Sequence, residues 1–278
     1  MQKTILNSMF DNLLHIGNKA NYWNPKMKSY IYWTVNGIHV INLTITAAKI
    51  EEVKAELKEL HMSGKKILFV ATKLQARDAI SKLASESGHF YVSEKWVPGL
   101  LTNFKTIKRR IATYMQLDKD LKGGAFDSLS KKEKASKMLE LDKLNKAYAW
   151  VKEMKKIPDA VFVIDGIFEE QAISEANSLK ILAYAVLNTN GDDSVLKNCI
   201  PANTNSVKSI DYIAAALRDA LSGKVRDAST SATSTISQAK VKKIDDTKVS
   251  GEKKVPAKKA PAKKVEEVKA EVETTEQK

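Results

Sequence analysis

The sequence predicts an α/β protein built on a parallel five-stranded sheet and interrupted in mid-chain by a basic helical arm. Three observations carry this expectation. Continuous apolar runs such as Ile67-Leu68-Phe69-Val70-Ala71 and Ala160-Val161-Phe162-Val163-Ile164 have the length and punctuation of buried strands. Between such runs stand segments whose apolar residues recur three and four apart, the period of an amphipathic helix. From Thr102 the pattern changes to a basic amphipathic helix, a Gly123-Gly124 turn and a second basic helix, and the strand rhythm resumes only at Pro158.

In order, Ile5, Met9, Leu13 and Ile16 predict a short helix over residues 4–16. Pro25 biases Asn24 away from the helical region, so residues 21–30 are expected as a loop or extended segment. Tyr22, Trp23, Tyr30, Tyr32 and Trp33 crowd this part of a chain that is only 7% aromatic. Interleaved with Lys26 and Lys28, they can stack on unpaired bases while the amines meet phosphates. For most of them, packing of the first strand against the body is the plainer reading. Asn36-Gly37 signals a turn, and residues 38–43 read as the first core strand. A helix capped by Thr46 follows, with Ile50, Val53, Leu57 and Leu60 on one face and an end near Ser63-Gly64. Residues 65–71 form the second strand, 74–84 a helix closed by Gly88, and 90–93 the third strand. Strand, helix and strand at this spacing imply crossovers and a parallel sheet.

In the arm, Phe104, Ile107, Ile111 and Tyr114 are spaced three, four and three apart, and Leu117 and Leu121 continue the stripe. Ser130-Lys131-Lys132-Glu133 is a capping-box pattern that starts the return helix, whose seam is Leu141, Leu144, Tyr148 and Val151. Two matching narrow seams and a short turn predict an antiparallel coiled-coil hairpin, each helix of about 20 residues reaching about 30 Å. Lys108, Arg109 and Arg110 lie off the seam. Pro158 stops the return helix, and residues 159–165 and 181–187 are the fourth and fifth strands, with a helix over 169–177 between them. A loop runs through Pro201, and a last helix capped by Ser206 or Asn205 carries Val207, Ile210, Ile213, Ala214 and Leu217. The expected organisation is an α/β body of residues 1–101 and 158–223, an inserted hairpin of residues 102–157, and a disordered Lys-rich tail of residues 224–278.

The net charge of +13 is unevenly placed. Residues 100–157 hold 15 Lys/Arg against 7 Asp/Glu, a net of +8, whereas residues 1–99 hold 13 against 8 and residues 158–223 hold 4 against 9. The two parts of the body therefore cancel, and a field concentrated on one projection can hold a nucleic-acid backbone. A Lys-rich helix taken alone reads more plainly as solvated surface. Cys199 is the only cysteine, which suits a reducing cytoplasm. No apolar stretch approaches the ~20 residues of a membrane span, and the first ten residues carry one Lys and no apolar run of the secretory kind.

Enzymatic fingerprints are missing. The turn after the first strand, Leu43-Thr44-Ile45-Thr46, lacks the glycines that let a backbone approach pyrophosphate. Gly64-Lys65-Lys66 precedes a strand where a phosphate loop follows one, and no His or Cys pair has ligand spacing. Asp165 sits where α/β enzymes place acids, but a solvated loop carboxylate is the plainer reading. No catalytic residue, metal, cofactor or small-molecule substrate is expected. An α/β nucleotide-dependent enzyme and a coiled-coil adaptor whose arm binds a protein are the rival readings.

Four stretches resemble signatures of the bacterial small-subunit ribosomal protein two family: Trp23-Asn24-Pro25-Lys26-Met27, Asn36-Gly37-Ile38-His39, Leu101-Thr102-Asn103-Phe104-Lys105-Thr106-Ile107, and Pro158-Asp159-Ala160-Val161-Phe162-Val163-Ile164-Asp165. Thr189-Asn190 and Ile200-Pro201 fall where that family has its later signatures, and the tail lies outside the resemblance. The resemblance implies a flavodoxin-like three-layer body with a protruding helical hairpin, in a structural, cytoplasmic ribosomal protein. It implies binding to small-subunit ribosomal RNA near the junction of head and body, beside neighbouring small-subunit proteins, ribosomal protein one among them. The expected RNA contacts are Trp23, Asn24, Lys26, Lys28, Asn36, Thr102, Asn103, Lys105, Lys108, Arg109 and Arg110. Lys and Arg would meet phosphates, Asn and Thr would donate to phosphates or 2′-hydroxyls, and Trp23 would stack or pack. The chain departs from the family pattern at Asn18 (for His), Pro98 (for Gly), Asn188 (for Asp), and Thr204 and Asn205 (for acids).

Overall fold

Side chains buried on both faces make a strand read as an unbroken apolar run, and such runs build the central sheet here. The computed structural model describes residues 2–152 and 154–223. Helix α1 (Gln2–Asp11) opens the chain and stops short of the expected Ile16. Leu13 takes a left-handed φ of 62°, which a helix cannot accommodate, and Ile16 already begins strand β1 (Ile16–Lys19). Asn24 is extended, as Pro25 demands, but Pro25 then opens a 3₁₀ helix (Pro25–Tyr30) where a loop was expected. Its fixed φ and missing N–H suit a first helical position.

Strands β2 (Ile31–Val35) and β3 (Ile38–Ile41) form a hairpin through Asn36 and Gly37, at φ 49° and 73°. Two consecutive positive φ values match the twist of antiparallel strands. β1 pairs with the other side of β3, giving an antiparallel sheet of order β1-β3-β2. The strand expected over residues 38–43 thus exists but belongs to this small sheet, because its neighbours in sequence fold back beside it. Asn42 caps α2 (Leu43–Met62), its side chain accepting from the Thr44 N–H at 3.0 Å. Thr46, the expected cap, is buried one turn further on, where its hydroxyl donates to the Pro201 carbonyl at 2.7 Å.

Next come β4 (Ile67–Val70), α3 (Arg77–Glu86) and β5 (Phe90–Val92). α3 begins at Arg77, leaving Leu74 exposed ahead of it. Helix α4 (Phe104–Lys122) and helix α5 (Lys131–Tyr148) fold back on each other through Gly123, Gly124 and a 3₁₀ turn (Ala125–Ser128). The reciprocal Ser130–Glu133 capping box is present at the start of α5. Tyr114, Leu117, Phe126 and Leu141 form a small apolar cluster between the two helices, and the Tyr114 hydroxyl donates to Asn145 at 2.8 Å. α5 ends at Tyr148, not at Pro158, passing into a 3₁₀ turn (Ala149–Val151). Tyr148, Val151 and Met154 are all drawn into the core of the body.

The chain closes with β6 (Ala160–Ile164), α6 (Glu170–Ser178), β7 (Leu182–Leu187), β8 (Asn198–Pro201) and α7 (Val207–Leu221). β8 falls where a loop was expected, and it is the fifth member of the parallel sheet, of order β5-β4-β6-β7-β8. Counted along the chain this is 2-1-3-4-5, the order of flavodoxin-like doubly wound sheets. Phe69, Phe162, Tyr184, Val186 and Ile200 face α2, α3 and α7. Val70, Val161, Val163, Ala185 and Leu187 face α6 and the roots of α4 and α5. The tail of residues 224–278, expected to be disordered, lies outside the described residues. Among the described residues no helix is long and apolar enough to cross a membrane.

Candidate nucleic-acid interface

The root of α4 is fixed by one carboxylate. Glu175, buried on α6, accepts from Trp96 Nε1 at 3.0 Å, from the backbone N–H of Gly99 at 2.8 Å, Leu101 at 3.0 Å and Thr102 at 3.2 Å, and from the Thr102 hydroxyl at 3.3 Å. Burial alone would push its carboxyl up, but these donors outweigh burial and hold it below the usual carboxylate range. From this anchor α4 starts at Phe104 with exposed Asn103 at the cap position, its side chain making no capping bond. Ile107 and Ile111 turn inward, which leaves Lys105, Lys108, Arg109 and Arg110 exposed. None of these four cations makes an ion pair among the described residues. Lys105 and Lys108 line an open cleft of about 660 Å³ together with Lys155, Lys156 and the apolar Phe104 and Ile157. Among the described residues no carboxylate lines it. Lys155 and Lys156 were not among the expected contacts. Their charge was visible, but their position beside α4 depends on α5 ending at Tyr148.

The second group of expected contacts surrounds the small antiparallel sheet. Trp23 lies against His39, ring centroids 5.5 Å apart. Asn24 is occupied locally: its side chain accepts from the Lys26 N–H at 3.1 Å, and its own N–H donates to the Thr189 carbonyl at 2.9 Å. Lys26 Nζ pairs with Asp192 at 2.6 Å and donates to Ser194 at 2.9 Å. Lys26 and Ser194 together hold the Asp192 carboxyl down at about 2. Lys26 therefore brings a charge already half compensated, whereas Lys28 is exposed and makes no ion pair among the described residues. Asn36 stands exposed at the hairpin turn. Tyr22, Tyr32 and Trp33 are 61%, 72% and 69% exposed, so they do not pack a strand against the body. Tyr32 and Trp33 lie on β2, an edge strand of the small sheet, and Tyr22 lies in the loop after β1. Only Tyr30 turns in, its hydroxyl donating to Asp193 at 2.9 Å. Among the described residues no hydrogen bond, ion pair or ring contact joins this group to the root of α4.

A third cluster went unforeseen. Doubly wound sheets bind ligands beyond the strand ends where the order reverses, here between β4 and β6. Asp165 follows β6 at φ 72° and is buried, not solvated as expected. It pairs with Lys73 Nζ at 2.8 Å and accepts from the Thr204 hydroxyl at 2.9 Å. Lys73 donates also to Asn205 at 2.6 Å, and Glu169 accepts from the Thr72 hydroxyl and N–H at 2.6 and 2.8 Å. Burial pushes the Glu169 carboxyl up while the Thr72 donors pull it back. Three of the five positions at which the chain departs from the family pattern, Thr204, Asn205 and Asn18, line this crevice. Asn188 accepts from the Thr189 N–H at 2.7 Å, and the Thr189 hydroxyl in turn accepts from the Asn18 N–H at 3.0 Å. Among the described residues no group of three or more His, Cys, Asp or Glu is placed to hold a metal ion.

Comparison with known proteins adds a separate line. Residues 9–223 match the family model described as Ribosomal protein S2. The chain is 41% identical over 209 residues to the small ribosomal subunit protein uS2 of Fusobacterium nucleatum subsp. nucleatum, covering 75% of this chain and 85% of that protein. It is 41% identical over 216 residues to the protein of the same name from Porphyromonas gingivalis, covering 76% of this chain and 77% of that one.

Proposed function

The chain belongs to the ribosomal protein S2 family, whose members are structural, non-enzymatic proteins of the cytoplasmic ribosome, and we propose on that premise that it binds small-subunit ribosomal RNA through the root of α4. One observation carries the reading: Lys105, Lys108, Arg109 and Arg110 stand exposed and unpaired over less than two helical turns, on a base that Glu175 holds rigid. Cations presented without carboxylate partners suit a polyanion, because attraction to phosphate is not offset by breaking an existing ion pair. Asn103 adds a side-chain donor at the same end, whereas the Thr102 hydroxyl and N–H are already given to Glu175, so Thr102 contributes by shaping the root of α4. Lys28, Asn36 and Trp23 form a second contact area, with Asn24 shaping the loop and Lys26 contributing less because Asp192 already holds it.

In this reading the chain divides into an α/β body of residues 1–101 and 158–223, an inserted antiparallel coiled-coil hairpin of residues 102–157 that serves as the gripping arm, and a tail of residues 224–278. The paired seams of α4 and α5 support the hairpin assignment. The protein sits near the junction of head and body, beside neighbouring small-subunit proteins that include ribosomal protein one. The nucleotide-enzyme reading has less support, since the polar groups that line the crevice such an enzyme would use, Lys73, Asp165 and Thr204, are already bonded to one another. Sedimentation tests the proposal: the protein is expected to travel with small ribosomal subunits at moderate salt, and recovery only at the top of the gradient would refute it.

A further inference from the structure

A second cleft, of about 910 Å³, lies between β5, the end of α3 and the segment that leaves α5. We propose that this cleft seats one unpaired nucleotide of the bound RNA, its base against Tyr91 and Trp150 and its phosphates on Lys152 and Lys155. The proposal rests on the RNA-binding reading above and names a subsite within it.

The chemistry of the walls carries the inference. Tyr91 and Trp150 both line the cleft, their ring centroids 5.3 Å apart and their planes inclined at 41°. Stacking of bases on such rings tolerates any sequence, since every base has a π-face. Lys66, Lys152 and Lys155 also line the cleft, and among the described residues no Asp or Glu does. Lys66 Nζ is engaged by the Gly88 carbonyl at 2.7 Å. Lys152 and Lys155 are exposed and make no ion pair among the described residues, so their charge is available.

Two further observations favour a ligand over plain packing. Trp150 Nε1 is buried without an acceptor among the described residues, although buried polar groups are normally matched, and an indole placed only to fill space would ordinarily have found one. Lys155 lines both this cleft and the one at the root of α4, so a strand held on Lys105 and Lys108 is led directly to Tyr91 and Trp150. The bases of a duplex are stacked inside it and cannot enter, which restricts the ligand to a loop, bulge or end. An acidic protein segment would use the lysines but leave the two rings without a role.

The test uses the full chain and a fluorescent single-stranded oligoadenylate, with an RNA duplex of equal length and small-subunit RNA as companions. Trp150→Ala is expected to lose about tenfold on the single strand, leave the duplex unchanged and keep the salt slope, because stacking is lost and no phosphate contact is. Trp150→Phe is expected to bind like the parent. The double change Lys152→Gln with Lys155→Gln is expected to lower the salt slope by roughly 1 to 2 units. Both lysines are exposed, so this variant decides the matter should Trp150→Ala not fold. Unchanged single-strand affinity in a folded Trp150→Ala variant, or in the lysine pair, overturns the subsite while small-subunit RNA binding stands. Displacement of the oligonucleotide by polyglutamate of equal charge overturns it too, in favour of an acidic protein segment. Failure of the parent to bind small-subunit RNA at all removes the functional reading itself, a distinct result.

Discussion

His89 and His61 meet inside the body, Nε2 to Nδ1, at 3.1 Å, and only one arrangement of protons satisfies both rings. His61 Nε2 lies 2.8 Å from the Gly223 carbonyl, which can only accept, so that nitrogen carries the proton and Nδ1 is left as an acceptor. His89 Nε2–H then donates to it, and His89 Nδ1 accepts from the Ile67 N–H at 3.4 Å. In this arrangement a further proton on His89 Nδ1 would set N–H against the Ile67 N–H.

This relay gives the fold an acid sensitivity. Burial, then His61 and Lys66, lowers the His89 pKa from 6.5 to about 4. The folded state holds the proton less readily than the unfolded chain, so the stabilisation is whole above pH 6.5 and is lost as pH falls toward 4. Its full size is roughly 3 kcal/mol. Urea melts from about pH 7 to about pH 4 should show this loss, and His89→Phe should flatten it while lowering stability at neutral pH. A variant with the parent's pH profile would show that the relay is not its source.

Glu175→Ala should loosen the root of α4. Five donor contacts to its carboxylate lose their acceptor, and a cost of roughly 3 kcal/mol is expected. Trp96 fluorescence would report the change, since its indole N–H is one of the donors. Because the Glu175 carboxyl is held below 4.5, its stabilising contribution is present above that pH and lost as pH falls through the lowered value. A melting curve and emission spectrum identical to the parent's would contradict this role.

Gly17→Ala should destabilise the body by about 1–3 kcal/mol. A Cβ at Gly17 would stand 2.7 Å from Thr189 Cγ2 and 2.8 Å from the His39 carbonyl oxygen, which belongs to β3 backbone and cannot move aside easily. Chemical denaturation reads the difference. A neutral result would mean that β1 shifts freely against the loop after β7.

The crevice between β4 and β6 should refuse nucleotides. Asp165, Lys73 and Thr204 line it with groups that satisfy one another, and no glycine-rich loop of the nucleotide-binding kind stands there. Calorimetric titration with adenine, guanine and nicotinamide nucleotides is expected to show nothing tighter than ~1 mM. A stoichiometric micromolar isotherm would restore the enzyme reading.

Features written locally were legible in the sequence. The Asn36-Gly37 turn, the Ser130–Glu133 capping box and the inward-facing Ile107, Ile111 and Tyr114 all depend on residues within a few positions of one another. β8 was not legible: Asn198 and Pro201 bracket only Cys199 and Ile200, and Pro201 is tolerated because β8 is an edge strand with one partner. Assigning residues 38–43 to the wrong sheet has a similar cause, since periodicity reports burial and not which strand lies alongside. Asp165 was misjudged because Lys73 and Thr204 are far from it in sequence. Lys155 was overlooked as a contact because only the early end of α5 brings it beside Lys105 and Lys108.

The central claim is tested most directly by the salt dependence of RNA binding in a variant with Lys108, Arg109 and Arg110 all changed to Gln. The three side chains are exposed, so folding should survive, and circular dichroism can establish that it has. Filter binding to small-subunit RNA across a range of salt concentrations should give weaker affinity and a slope flatter by about 2 to 3 units, slightly less than one for each phosphate contact removed. A well-folded variant with the parent's affinity and slope would contradict the account and return α4 to being a solvated surface helix.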